Sequence, residues 1–220
     1  MKISILTLFP EMFDNFKSTS IIKRAIDKNL VDIEVVNIRD FSTLNNKQVD
    51  DTPYGGGSGM VMRVDIVVSA IRSVKDADSI VILLSPAGTT FKQSVAYDLS
   101  TKKHLIFVCG HYEGIDERIL NYVDMELSIG DFIVTGGEIP TMAMADAIIR
   151  LIPGVIKSES SEQESFNDCL LDYPVYTRPS EFEGHIVPEV LKSGNHALID
   201  KWRKDARVKK TEEKRPDLLK

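Results

Sequence analysis

The stretch HLIFVCGHYEGIDER, residues 104–118, decides how the fold is read. His104–Cys109 has the length and apolar character of a buried strand, and Gly110 breaks it into a loop rich in glycine and charge. A strand that feeds such a loop is how open parallel sheets build ligand sites, because ligands lie beyond the carboxyl ends of the strands. The same pattern recurs on both sides. Ser79–Leu84 reads as a strand leading into Leu84-Ser85-Pro86-Ala87-Gly88, and Val123–Leu127 as one leading into Ser128–Glu138, SIGDFIVTGGE. Three such loops after consecutive strands predict one glycine-rich crevice, where glycine lets the backbone approach a ligand and exposes N–H and C=O groups to it.

Further out, Lys2–Leu8 and Asp32–Ile38 read as strands. Between them, Pro10 and Glu11 mark a helix start, and Met12, Phe13, Phe16, Ile22, Ala25 and Ile26 predict one amphipathic helix to about Lys28. Helical segments are expected near Asp65–Val74, Phe91–Leu99, Glu117–Tyr122 and Pro140–Arg150. This alternation predicts an α/β domain with a mainly parallel sheet over residues 1–156. Asp40 to Met62 reads as a long loop containing Thr52–Gly59, TPYGGGSG, and long glycine loops in compact domains are usually functional. No GxxxxGK[ST] or GxGxxG follows a strand, so a phosphate cradle of either known kind is not expected.

Residues 157–172 open on a run rich in serine and glutamate and read as a linker, and 173–220 as a small α-helical unit with a helix from about Asn195 to Lys210. The net charge of −6 is unevenly spread: Lys192–Lys220 holds ten Lys/Arg against five Asp/Glu, and residues 1–191 hold seventeen against twenty-eight. A basic tail on an acidic body suggests contact with nucleic acid, as well as fitting a solvated helix of mixed charge.

Composition removes other classes. With 43% apolar and 27% charged residues the chain lies far from the disordered corner. The longest apolar run, around Ile80–Leu84, falls well short of the roughly 20 residues that cross a bilayer, so no membrane span is expected. The first dozen residues reach Pro10 and Glu11 without room for a secretory core, which predicts a cytoplasmic protein. Cys109 and Cys169 stand apart from each other and from ligand-spaced histidines, so neither a disulfide framework nor a metal site is expected.

The motifs together resemble the bacterial tRNA (guanine-N1)-methyltransferases of the TrmD type, in the SPOUT class. The matches run nearly end to end: Pro53–Met60 (PYGGGSGM), Leu84-Ser85-Pro86, Gly110–Arg118 (GHYEGIDER), Ser128–Pro140 (SIGDFIVTGGEIP), Ile152–Val155 (IPGV), Tyr176–Pro179 (YTRP), Ser193–His196 (SGNH) and Arg215–Leu219 (RPDLL). The resemblance implies a SPOUT-type parallel sheet with a deep trefoil knot, a small helical C-terminal domain that binds tRNA, and a homodimer. It implies S-adenosyl-L-methionine (AdoMet) as donor and guanosine 3′ of the anticodon, position 37, as target. Magnesium is reported for the family, although no acidic cluster here specifies a metal site. Many relatives continue past RPDLL, so part of the tRNA affinity is expected to be missing or supplied differently.

Carried over by motif, AdoMet contacts fall on Leu84, Ser85, Pro86, Gly110, Tyr112, Glu113, Ser128, Ile129, Gly130, Asp131, Phe132, Ile133, Val134, Gly136, Gly137 and Pro140. Substrate contacts fall on Tyr54, Gly55, Gly56, Gly57, Gly59, Arg178, Asn195, His196, Lys201 and Arg203, with Trp202 expected in a core. Guanine N1 carries a proton at neutral pH, so methylation needs a base to remove it and a positive group to stabilise charge on the neighbouring carbonyl oxygen. The positions matching the family's base and arginine are Glu164 and Arg150. The family usually has aspartate at the first and a linker one residue longer, so the longer side chain is expected to compensate. Asp168 and Asp172 are the reserve candidates, and His111 is expected to be structural. The alternatives are a non-catalytic RNA-binding protein on the same fold and a SPOUT methyltransferase with another RNA target.

Overall fold

The structure, a computed structural model, describes residues 1–156, 165–166 and 168–219. Glu164, the expected base, lies outside the described residues. The chain divides into two compact units, Met1–Lys157 and Ser158–Lys220.

The first unit is built on five parallel strands: β1 Lys2–Thr7, β2 Asp32–Asn37, β5 Ser79–Thr90, β6 His104–Cys109 and β7 Met125–Ser128. They lie in the order β2-β1-β6-β5-β7. Side chains alternate between the two faces of the sheet. On β6, Leu105, Phe107 and Cys109 enter one apolar layer with α2 (Ser20–Asp27), α4 (Gln93–Ser100) and α5 (Glu138–Ile149), whereas Ile106 and Val108 enter the other, with α3 (Val64–Val74). Every residue of β6 is buried, as a strand covered on both faces requires.

The amino ends of the strands are clamped by a buried histidine. His104 is 2% exposed; its Nδ1 lies 2.8 Å from Ser79 Oγ and 3.1 Å from Asp76 Oδ2, and its Nε2 lies 2.9 Å from Ser4 Oγ. The arrangement joins β1, β6 and the turn before β5. It has the parts of a serine, histidine and carboxylate triad, yet Ser4 is fully buried and no substrate reaches it.

Several elements differ from the sequence expectation. The first helix is broken into a 3-10 turn Pro10–Phe13, α1 (Asp14–Ser18) and α2. Thr19 between α1 and α2 is extended, with its hydroxyl donating to Asn15 O (2.7 Å), so a local side-chain bond competes with the helix. The glycine loop is closed at its base by two short strands, β3 (Asp50–Asp51) and β4 (Val61–Met62). The helical segment expected near Glu117–Tyr122 is present as a 3-10 helix, Glu117–Asn121. β5 runs past Leu84 to Thr90, and Leu127 is partnered by both Leu84 and Thr89 across a bulge. Gly88 sits where a Cβ would lie 2.5 Å from Leu127 N, so only glycine fits that approach.

The second unit is organised by the helix His196–Lys214, which outruns the expected end by four residues. Arg207 on it holds Asp168 through two hydrogen bonds (3.0 and 2.5 Å), and Thr211 accepts from Leu171 N (2.9 Å). A hairpin of Glu181–Phe182 and His185–Ile186 turns through Glu183 and Gly184, both at positive φ, the geometry a two-residue turn demands.

Candidate active site

A cavity of about 430 Å³ opens at the carboxyl side of β5, β6 and β7, and the three expected loops meet in it. Leu84, Ser85 and Pro86 form one wall, and Gly110, Tyr112 and Glu113 a second. Ser128, Ile129, Phe132, Ile133, Val134, Gly136, Gly137 and Pro140 complete it. Of the positions expected to touch the donor, only Gly130 and Asp131 are absent from the lining.

Local backbone chemistry sets these walls. After β6 the chain turns sharply, Gly114 N donating to His111 O (3.1 Å) with Tyr112 at φ +61°. A tyrosine in the left-handed region is uncommon and is held there by its surroundings. Gly137 N donates to Gly110 O (3.0 Å), joining the second and third loops. At Gly137 a Cβ would lie 2.6 Å from Cys109 Cα, so the residue is glycine because two backbones touch.

Behind the cavity lies a buried polar network. Thr7 Oγ1 donates to Glu138 Oε1 (2.6 Å), and the other oxygen of Glu138 faces His111 Nε2 at 2.8 Å. Glu138 is 1% exposed. Cys109 nearby approaches Thr141 Oγ1 at 3.2 Å; burial, reinforced by the Glu138 charge, pushes its thiol well above the usual range, so it is no nucleophile. His111 and Glu138 were not among the expected donor contacts. A carboxylate directly after two glycines at a helix start was the available signal, but the sequence does not reveal its burial.

The cavity lining also includes Glu117 and Glu126, so with Glu113 it presents three carboxylates and no lysine or arginine. Such a lining suits a ligand that carries positive charge and presents donors.

The glycine loop is fastened to the second cavity wall. Glu113 N donates to Met60 O (3.0 Å), Met62 N to Gly114 O (2.9 Å) and Asp116 N to Met62 O (3.0 Å). At Gly59 a Cβ would lie 2.5 Å from the Glu113 side chain. Gly55, Gly56 and Gly57 all have positive φ, and Tyr54 beside them is fully exposed. A second, wider cavity of about 980 Å³ is lined by Tyr54, Arg63, Asp65 and Asp116–Arg118. Hydrogen bonds from Arg118 hold the Asp116 carboxyl below its ordinary value, and those from Arg63 do the same for Asp65.

Arg150 forms the C-terminal cap of α5 and is half-buried. In the second unit Asp168 is engaged by Arg207, and Asp172 Oδ1 accepts from Tyr173 N (2.7 Å). Asn195 caps the long helix by accepting from Leu198 N, with His196 exposed beside it. Lys201 and Arg178 are exposed, whereas Arg203 lies over the Tyr173 ring at 5.0 Å. Trp202 is half-buried against Tyr176, ring centroids 6.3 Å apart. Among the described residues no group of three or more His, Cys, Asp or Glu could hold a metal ion, and no helix is long and apolar enough to cross a membrane.

A parallel sheet with a carboxylate-walled cavity at the strand ends defines a ligand-binding α/β protein. Comparison with known proteins narrows this: the family model described as tRNA (Guanine-1)-methyltransferase TrmD matches residues 1–220. The chain belongs to that family. It is 57% identical over 219 residues to the tRNA (guanine-N(1)-)-methyltransferase of Malacoplasma penetrans, covering 100% of this chain and 97% of the relative. The like-named proteins of Mycoplasma capricolum subsp. capricolum and Staphylococcus carnosus are each 54% identical, covering all of this chain and 92% and 91% of theirs.

Proposed function

We propose that the protein transfers a methyl group from AdoMet to N1 of guanosine at tRNA position 37, on a knotted SPOUT fold that works as a homodimer in the cytoplasm. The observation that carries the reading is the cavity at residues 84–86, 110–113 and 128–140, whose lining takes in all but two of the expected donor contacts. The basic face of the C-terminal helix, with Lys201, Lys204 and Lys209 exposed, supports contact with tRNA phosphates.

The residues suit the donor. Leu84, Ile115 and Ile119 offer apolar surface, the loop backbone offers hydrogen-bonding groups, and Glu113, Glu117 and Glu126 line the cavity with no lysine or arginine among its walls. Bound there, AdoMet supplies an electrophilic methyl group. Glu164 removes the N1 proton, and the Arg150 guanidinium stabilises negative charge gathering on the guanine O6. The motif assigns the O6 role to Arg150; Arg118, in the cavity's second loop, donates two hydrogen bonds to Asp116 (2.8 and 2.6 Å).

The test uses labelled AdoMet and two transcripts of one tRNA that differ only by guanosine or adenosine at position 37. Label is expected on the guanosine transcript alone; label on both, or on neither while AdoMet binds, refutes the assignment. Glu164→Ala is expected to slow single-turnover transfer by about 10²–10⁴-fold, the usual contribution of a positioned base.

A further inference from the structure

Resting on the AdoMet reading above, we infer that Glu138 is a positioning residue: its buried carboxylate fixes His111, and through His111 the cavity wall formed by Tyr112 and Glu113. Three elements meet at this carboxylate. Thr7 ends β1, His111 follows β6 and Glu138 begins α5, and the two hydrogen bonds of 2.6 and 2.8 Å bind them to one another. An acid in the first turn of a helix is favourable wherever it is, but the dipole asks only for an exposed one. Burying a carboxylate is unfavourable unless each oxygen is satisfied, and here each is.

Gly136 shows what the pair is for. A Cβ at this position would lie 2.1 Å from His111 Nε2 and 2.5 Å from Glu138 Oε2, so the chain is laid directly over the hydrogen bond. The covering backbone belongs to the third cavity loop, and the residue beneath it to the second. The pair therefore sets the spacing between two walls, and its cover leaves Glu138 no path to a substrate proton. The His111 ring is packed on Phe9 (centroids 4.8 Å) and edge-on to Tyr112 (6.3 Å), and His111 N–H points at Met62 Sδ (3.3 Å). Fixing that ring fixes the start of the turn in which Tyr112 holds φ +61°.

The test measures AdoMet affinity by titration calorimetry, the KM for AdoMet and for tRNA, kcat and thermal melting in the full-length wild type, Glu138→Ala, Glu138→Gln and Thr7→Val. Glu138→Ala is expected to weaken AdoMet binding at least tenfold and to raise the AdoMet KM, with the tRNA KM unchanged. Glu138→Gln keeps a hydrogen-bonding group of the same shape and is expected within about threefold of wild type. Thr7→Val removes one bond away from the cavity and is expected to weaken AdoMet three- to tenfold; it carries the test if Glu138→Ala does not fold. Wild-type AdoMet affinity in Glu138→Ala or, should that variant not fold, in Thr7→Val overturns the inference, as does an equal loss in Glu138→Ala and Glu138→Gln, which would assign the effect to charge. A wild type that binds no AdoMet overturns the donor reading as well, and so separates the two failures.

Discussion

Gly137→Ala is a sharp probe of the site's construction. Gly137 has φ −76° and ψ −6°, a conformation open to any residue, so the substitution adds no backbone strain. Its consequence is steric: the new methyl would lie 2.6 Å from Cys109 Cα and 3.0 Å from Gly110 N, atoms of a buried strand end that cannot rotate away. Relieving the overlap means parting α5 from β6, at the roughly 1–3 kcal/mol typical of overpacking. Parting them also stretches the Gly137 N to Gly110 O bond, worth about 1 kcal/mol more. The expected outcome is a loss of about 2–4 kcal/mol in urea denaturation at unchanged m-value, with AdoMet affinity down at least tenfold because both partners line the cavity. Gly55→Ala is the control: no atom lies within 4 Å of its Cβ, and its φ of +85° leaves only the roughly 1–2 kcal/mol of left-handed backbone. A Gly137→Ala protein within about 0.5 kcal/mol of wild type with full AdoMet affinity would refute the contact argument.

Phe107→Ala empties the centre of a fully buried strand and is expected to destabilise by about 3–5 kcal/mol, read from the denaturation midpoint. Titration with a thiol reagent should find one fast thiol, the exposed Cys169, in the native protein and two in denaturant, because Cys109 is buried and its thiolate disfavoured. The carboxyls of Asp76, Glu34, Asp65 and Asp116 are all held below their ordinary values, chiefly by hydrogen bonds from Ser79, Lys2, Arg63 and Arg118. Stability from lowered carboxyls is complete above their unfolded values and lost as pH falls through the folded ones. Melting temperature should therefore hold above about pH 5 and drop progressively below about pH 4; a melting temperature that does not fall below pH 4 would contradict it.

The strands and the cavity were legible because their signals are local: apolar runs of strand length, each ending in glycine. What stayed hidden depends on partners far along the chain. The break at Thr19 turns on a hydroxyl bonding backward in competition with an otherwise sound amphipathic pattern. The extension of β5 to Thr90 needs β7 beside it, about 40 residues later, and Pro86 is tolerated there because it falls in the bulge between Leu84 and Thr89. Asp168 looked available as a base because the sequence does not show that Arg207 holds it. Glu138 read as an ordinary helix-starting acid, and only the meeting of β1, β6 and α5 buries it. Glycine positions were the most informative letters, since Gly59, Gly88, Gly136 and Gly137 each mark a place where a side chain has no room.

The strand order also dictates when the molecule can become itself during synthesis. β1 finds its first neighbour, β2, some 30 residues on, but its other neighbour is β6, with Ile5 beside Phe107. On a ribosome adding roughly 5–20 residues per second, that second partner emerges about 5–20 s after the first strand. Through that interval one flank of an apolar strand waits without its mate. For this chain the hazard of aggregation therefore falls during translation, before any stability of the finished sheet can protect it.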